Sequence, residues 1–116
     1  MPAVARDARG ELAVLRSLWE EVRRELLRAK HAIDEEIRGY PTPIPRCDAQ
    51  FNHLHEQRAR LARELDRIGA VGHGDLERRD CFRLIGEYIA SAPYTDDFAE
   101  RDFRSRLGVE LSAIRD

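Results

Sequence analysis

Residues 40 to 55 read Y-P-T-P-I-P-R-C-D-A-Q-F-N-H-L-H, and this stretch decides how the rest of the chain folds. Pro41, Pro43 and Pro45 each fix φ and remove a backbone donor. Each also pushes the residue before it out of the α region. No helix runs through such a segment, so the chain divides here into two long helical patterns that reverse around it. The same stretch gathers the less common side chains Tyr40, Cys47, Asp48, Asn52, His53 and His55.

On its N-terminal side the apolar positions are Leu12, Leu15, Trp19, Val22, Leu26, Ala29 and Ile33. Their alternating three- and four-residue gaps make a heptad seam. Gly39 is placed to end this helix as a left-handed cap, reinforced by Pro41. On the C-terminal side Asp48 or Cys47 is placed to cap a second helix. Its seam reads Phe51, Leu54, Arg58, Leu61, Leu65 and Ile68. Two heptad helices joined by a short stiff connection predict an antiparallel hairpin. Facing residues then have numbers summing to about 84–88, which sets Arg58 across from residues 26–29 with Glu25 as its partner and gives it the role of fixing register.

Gly69, Gly72 and Gly74 end the second helix. A third begins near Asp75 and stops before Pro93, with Phe82, Ile85 and Ile89 on its inner face. The turn P-Y-T-D-D follows, with Thr95, Asp96 or Asp97 capping a fourth helix whose stripe is Phe103, Leu107, Leu111 and Ile114. Gly86 and Gly108 lie inside helices, where glycine costs about 1 kcal/mol against alanine, and imply close approach by another backbone. Period-two alternation is absent. The fold class is therefore all-α, a long antiparallel helical hairpin plus two shorter helices in a four-helix bundle-like arrangement. The expected helices cover residues 10–38, 48–68, 75–92 and 96–115 of one domain spanning 1–116, with a proline-rich connector at 39–47.

Composition narrows the function classes. A charged fraction of 36% beside a hydrophobic fraction of 42% is a water-soluble chain with enough apolar residues for a core. The net charge of −2 is spread along the chain, so no nucleic-acid partner is expected. Two cysteines, Cys47 and Cys81, make no disulfide framework and read as reduced thiols. Arg6, Asp7 and Arg9 precede any apolar run, so no signal peptide is visible, and no apolar run approaches a membrane span. The expected setting is the cytoplasm, with no membrane partner.

Cys47, Asp48, His53 and His55 are metal-ligand types. Yet His53 and His55 stand about 200° apart on a helix and cannot both reach one ion. Asp48 beside Cys47 opposes the lowered pKa that a nucleophilic thiol needs. No metal, cofactor or catalytic residue is expected. Tyr40 and Tyr94, both in turns, are candidates for a ligand or partner contact, whereas His73, in a G-H-G loop, reads as a solvated side chain.

Helices 3 and 4 are too short to cover the whole of helix 1. Leu18, Trp19 and Leu27 are then left for a second copy of the chain, and a homodimer is expected. The functional expectation is a non-enzymatic small helical protein acting through protein–protein association. The alternative is a small-molecule- or metal-binding helical protein, conceivably an enzyme, whose site is the proline-rich tip with Tyr40, Cys47, Asp48, Asn52, His53 and His55.

Overall fold

The computed structural model describes residues 8–46, 48–71 and 76–115, with side chains for those between 10 and 114. Among the described residues the chain is all-helical, with no strand: α1 (Ala8–Arg38), α2 (Ala49–Val71), α3 (Arg78–Ala90) and α4 (Phe98–Arg115). Cys47, Gly72, His73, Gly74 and Asp75, on which several expectations fall, lie outside the described residues.

The proline segment separates α1 from α2, and the Thr42–Pro43 bond within it is cis. Gly39 ends α1 by donating its N–H to Glu35 O at 2.9 Å. It does so without a left-handed φ, contrary to the expected cap geometry. Asp48 caps α2, its Oδ1 accepting the Phe51 N–H at 2.9 Å. α2 runs past Gly69 to Val71, because Ile68 is buried and holds the last turn on the core. α3 starts at Arg78 behind a capping box in which Glu77 and Asp80 exchange backbone and side-chain bonds.

α1 is the central strut. α2, α3 and α4 all pack on it and α3 also touches α4. The molecule measures 63 × 27 × 19 Å with a radius of gyration of 17.2 Å, against roughly 13 Å for a spherical domain of this length. The α1 seam is buried as the heptad predicts from Leu15 to Ile33. The α2 seam narrows to Leu54, Leu61 and Ile68, one residue per heptad.

Arg58 stays out of the interface. It pairs with Asp34 at 2.8 Å, not with Glu25, which is held by Arg28 at 2.6 Å. The pairing numbers sum to 92, outside the expected window. A long guanidinium stem can lean out of a seam to the water's edge, so it need not fix register from inside.

The inner face of α3 is also rotated. Cys81, Leu84, Ile85 and Tyr88 are buried while Phe82 and Ile89 are half-buried. No neighbouring atom lies within 4 Å of where a Cβ would stand on Gly86 or Gly108, so neither marks a close backbone approach within the chain.

Leu18 and Trp19 are 3% and 2% exposed, so they belong to the core and form no association surface. The reason is where α3 begins. Arg16 donates to Leu76 O at 2.8 Å and Arg78 pairs with Glu11 at 2.9 Å, which starts α3 beside the N-terminal half of α1. α4 adds Arg106–Glu21 at 3.2 Å. Of the three expected contact residues only Leu27, half exposed, stands at the surface.

Candidate functional site

The proline tip is held by short-range bonds. Tyr40 O–H donates to Asp48 Oδ1 at 2.7 Å, joining the end of α1 to the cap of α2. That bond raises the Tyr40 pKa, while the Phe51 N–H and then Tyr40 lower that of Asp48. Phe51 packs edge-on against Tyr40 at 5.0 Å and His55 at 4.5 Å, so the aromatic residues here stack on one another. Tyr40, Asp48 and His55 are thus brought together by structural contacts. Asn52 and His53 are exposed. Among the described residues no group of three or more His, Cys, Asp or Glu is placed to hold a metal ion. No helix there is long and apolar enough to cross a membrane.

The dense chemistry lies two connections further on, at residues 91–97 between α3 and α4. Asp97 is the cap of α4, its Oδ1 accepting the Glu100 N–H at 2.8 Å. Burial draws its pKa upward, but the bonds from Glu100 N, Arg28 and Thr95 prevail and leave it lowered. Glu100, on the first turn, is 2% exposed. Its carboxylate accepts the N–H groups of Tyr94 and Thr95 and the Thr95 hydroxyl, each at 2.9 Å, and Arg104 Nε at 3.0 Å. Arg104 in turn donates to Tyr88 O and Ser91 O, both at 2.8 Å, and lies over the Tyr88 ring.

From α2, Arg60 donates to Ala92 O and Pro93 O and stacks on Tyr94 at 3.9 Å. Tyr94 is 4% exposed and so is no free contact residue, contrary to its place in a turn, and burial raises its pKa. Sequence reading missed Glu100, Arg104 and Arg60. The signal available for the first two was Asp97-x-x-Glu100, a capping spacing, followed by Arg104 one turn later.

This loop walls a groove of about 320 Å³ against α1 and α2. Its lining includes Ile33, Leu54 and Tyr94, all buried, with Glu36, His53 and Asp96 exposed at its edge. Among the described residues the Glu36 and Asp96 carboxylates have no hydrogen-bond or ion-pair partner. Among the described residues, His53 is the one member of the expected tip set in this lining. The groove combines an apolar floor with unneutralised negative charge, which suits an organic cation better than an anion. Thr95 Oγ1, in its lining, donates to Glu100 Oε1 at 2.9 Å.

A second surface stands apart from the groove. Phe98 and Val109 on α4 are 72% and 71% exposed. Eleven residues turn a helix through three full turns and about 20°, so both side chains share one outward face. Comparison with protein-family models, curated proteins and solved structures found no match to the chain.

Proposed function

We propose that the chain is a non-enzymatic helical association module. In this reading α1 and α2 form an antiparallel hairpin, α3 and α4 complete a four-helix bundle, and two copies join as a homodimer that can engage a further protein partner. The observation that carries it is the outward face of α4, where Phe98 and Val109 stand in solvent on a surface otherwise made of charged and small residues. With Leu18 and Trp19 in the core, this face replaces helix 1 as the association surface. Sedimentation velocity from low to several hundred micromolar tests it. The wild-type dimer fraction should rise with concentration, and Phe98→Ser with Val109→Ser should sediment as a monomer throughout. A wild-type chain that stays monomeric across that range contradicts the reading.

The groove supports a second reading, a binding site for a small organic cation, favoured by Glu36 and Asp96 above an apolar floor. Calorimetric titration with a linear aliphatic triamine tests it. Heat that saturates and is lost in Glu36→Gln with Asp96→Asn supports it, and no heat at millimolar ligand ends it.

A further inference from the structure

The face that carries Phe98 and Val109 has a second property, which concerns how it would pair with itself. On α4 the outward residues are Phe98, Arg101, Asp102, Ser105, Val109 and Ser112, all exposed. Phe98 and Val109 define its midline. By helix periodicity Asp102 and Arg106 lie along one flank, and Arg101 and Gly108 along the other. Among the described residues the Arg101 and Asp102 side chains have no hydrogen-bond or ion-pair partner.

We propose that the partner of this face is the same face of a second copy, docked antiparallel about a two-fold axis so that Phe98 of each chain covers Val109 of the other. This deepens, and rests on, the reading of the chain as a homodimeric association module. A two-fold interface is self-complementary, residue i meeting j while j meets i. Two exposed apolar residues at opposite ends of one helix face meet that condition in one register, in which facing numbers sum to 207.

The charges on the two flanks are compatible with this register. A two-fold axis perpendicular to two antiparallel helices brings like flanks together. Asp102, whose carboxylate has no partner within the described residues, then meets Arg106 of the other copy, where the numbers sum to 208, and shares that guanidinium with Glu21 and Glu110, which Arg106 holds at 3.2 and 3.1 Å within its own chain. The pair forms twice. On the other flank Arg101 faces Ser105 and Gly108, which leave room for a guanidinium across the contact. No neighbouring atom lies within 4 Å of where a Cβ would stand on Gly108, so that side chain can lie against its backbone. A contact confined to one 18-residue helix from each copy buries less than the roughly 1,600 Å² of a standard interface, so the dimer forms at micromolar concentration or weaker.

Single cysteines in a Cys47→Ser background test the register. Ser105 is nearly on the axis, its two copies offset along the helices by about 4.5 Å, within reach of a disulfide once side chains are counted. Ser112, on the same face and equally open to solvent, is offset by about 25 Å from its own copy. Under mild oxidation Ser105→Cys should give a covalent dimer and Ser112→Cys should not. Asp102→Arg should weaken the wild-type dimer about fivefold. Equal cross-linking at the two positions overturns the register, as does a bridge at 112 alone. If the wild type sediments as a dimer while Ser105→Cys does not bridge, association stands and this pairing falls. If the wild type is monomeric throughout, both fall.

Discussion

Two proline-containing links join the helices, and they are built on different principles. The 39–48 connector is tied by bonds between near neighbours: Gly39 to Glu35, Tyr40 to Ile37, Asp48 to Pro45, and Tyr40 to Asp48. The 91–97 loop is tied by side chains that reach in from three helices: Arg28 from α1, Arg60 from α2, and Glu100 with Arg104 from α4. The first link needs only its own sequence to hold its shape. The second is a junction through which α1, α2, α3 and α4 constrain one another. It also sets where α4 begins, and so where Phe98 stands, directly after the cap at Asp97.

The largest expected effect breaks the junction. Glu100→Ala leaves Arg104 Nε and the Tyr94 and Thr95 N–H groups without their acceptor in a largely enclosed site, at a cost of about 3–5 kcal/mol. That is a large share of a typical total, so chemical denaturation should show the midpoint collapsing. Tyr40→Phe at the other link removes only the bond to Asp48. Its shift in melting temperature should be a small fraction of the Glu100 shift, and equal shifts would erase the distinction between the links.

Acid sharpens the comparison. Asp34 is held below its ordinary range chiefly by the bond from Lys30, and Asp97 by bonds that outweigh its burial. A carboxylate with a lowered folded pKa contributes stability above its unfolded value of about 3.9 and loses it as pH falls through the folded value. Melting temperature should therefore be level near neutrality and fall below about pH 4. Asp97→Asn should flatten that fall at some cost in neutral stability.

Two small substitutions should stabilise. Tyr88 O–H is buried without a hydrogen-bond partner among the described residues, and Tyr88→Phe should gain about 1 kcal/mol by removing it while keeping the ring under Arg104. Gly86→Ala has open space for its methyl group and should gain a similar 0.5–1 kcal/mol, approximately the helix penalty of glycine. Denaturant midpoints measure both, and a loss at Gly86→Ala would restore the close approach that the sequence suggested.

Much of the backbone plan was legible. The proline triplet, the Asp48 cap, the α1 seam and the turn before α4 all rest on local rules, which act within a few residues and survive any tertiary arrangement. The misjudged positions depend on neighbours distant in sequence. Helix lengths alone leave Leu18 and Trp19 to a partner, because they do not say where α3 starts. Periodicity sets Arg58 into the seam because it ignores that a long cationic stem can lean outward. Gly69 reads as a stop in the sequence, although burial of Ile68 offsets its helix cost.

The junction went unseen for a different reason. Rare residues clustered along the chain stand out in a sequence, whereas Arg60, Glu100 and Arg104 are of the commonest types in it and only two of them are close in sequence. Tyr94 and Thr95 gave no sign that their N–H groups would be claimed by a buried carboxylate.

Native-state hydrogen exchange compares the two links directly. The Tyr94 and Thr95 amides, bonded to a buried carboxylate that several helices enclose, should exchange only through openings close to global unfolding. The Thr42, Ile44 and Arg46 amides of the proline connector should exchange by local fluctuation, several orders of magnitude faster. Comparable rates in the two links, or faster exchange at Tyr94 and Thr95, would contradict a molecule locked at the loop before α4.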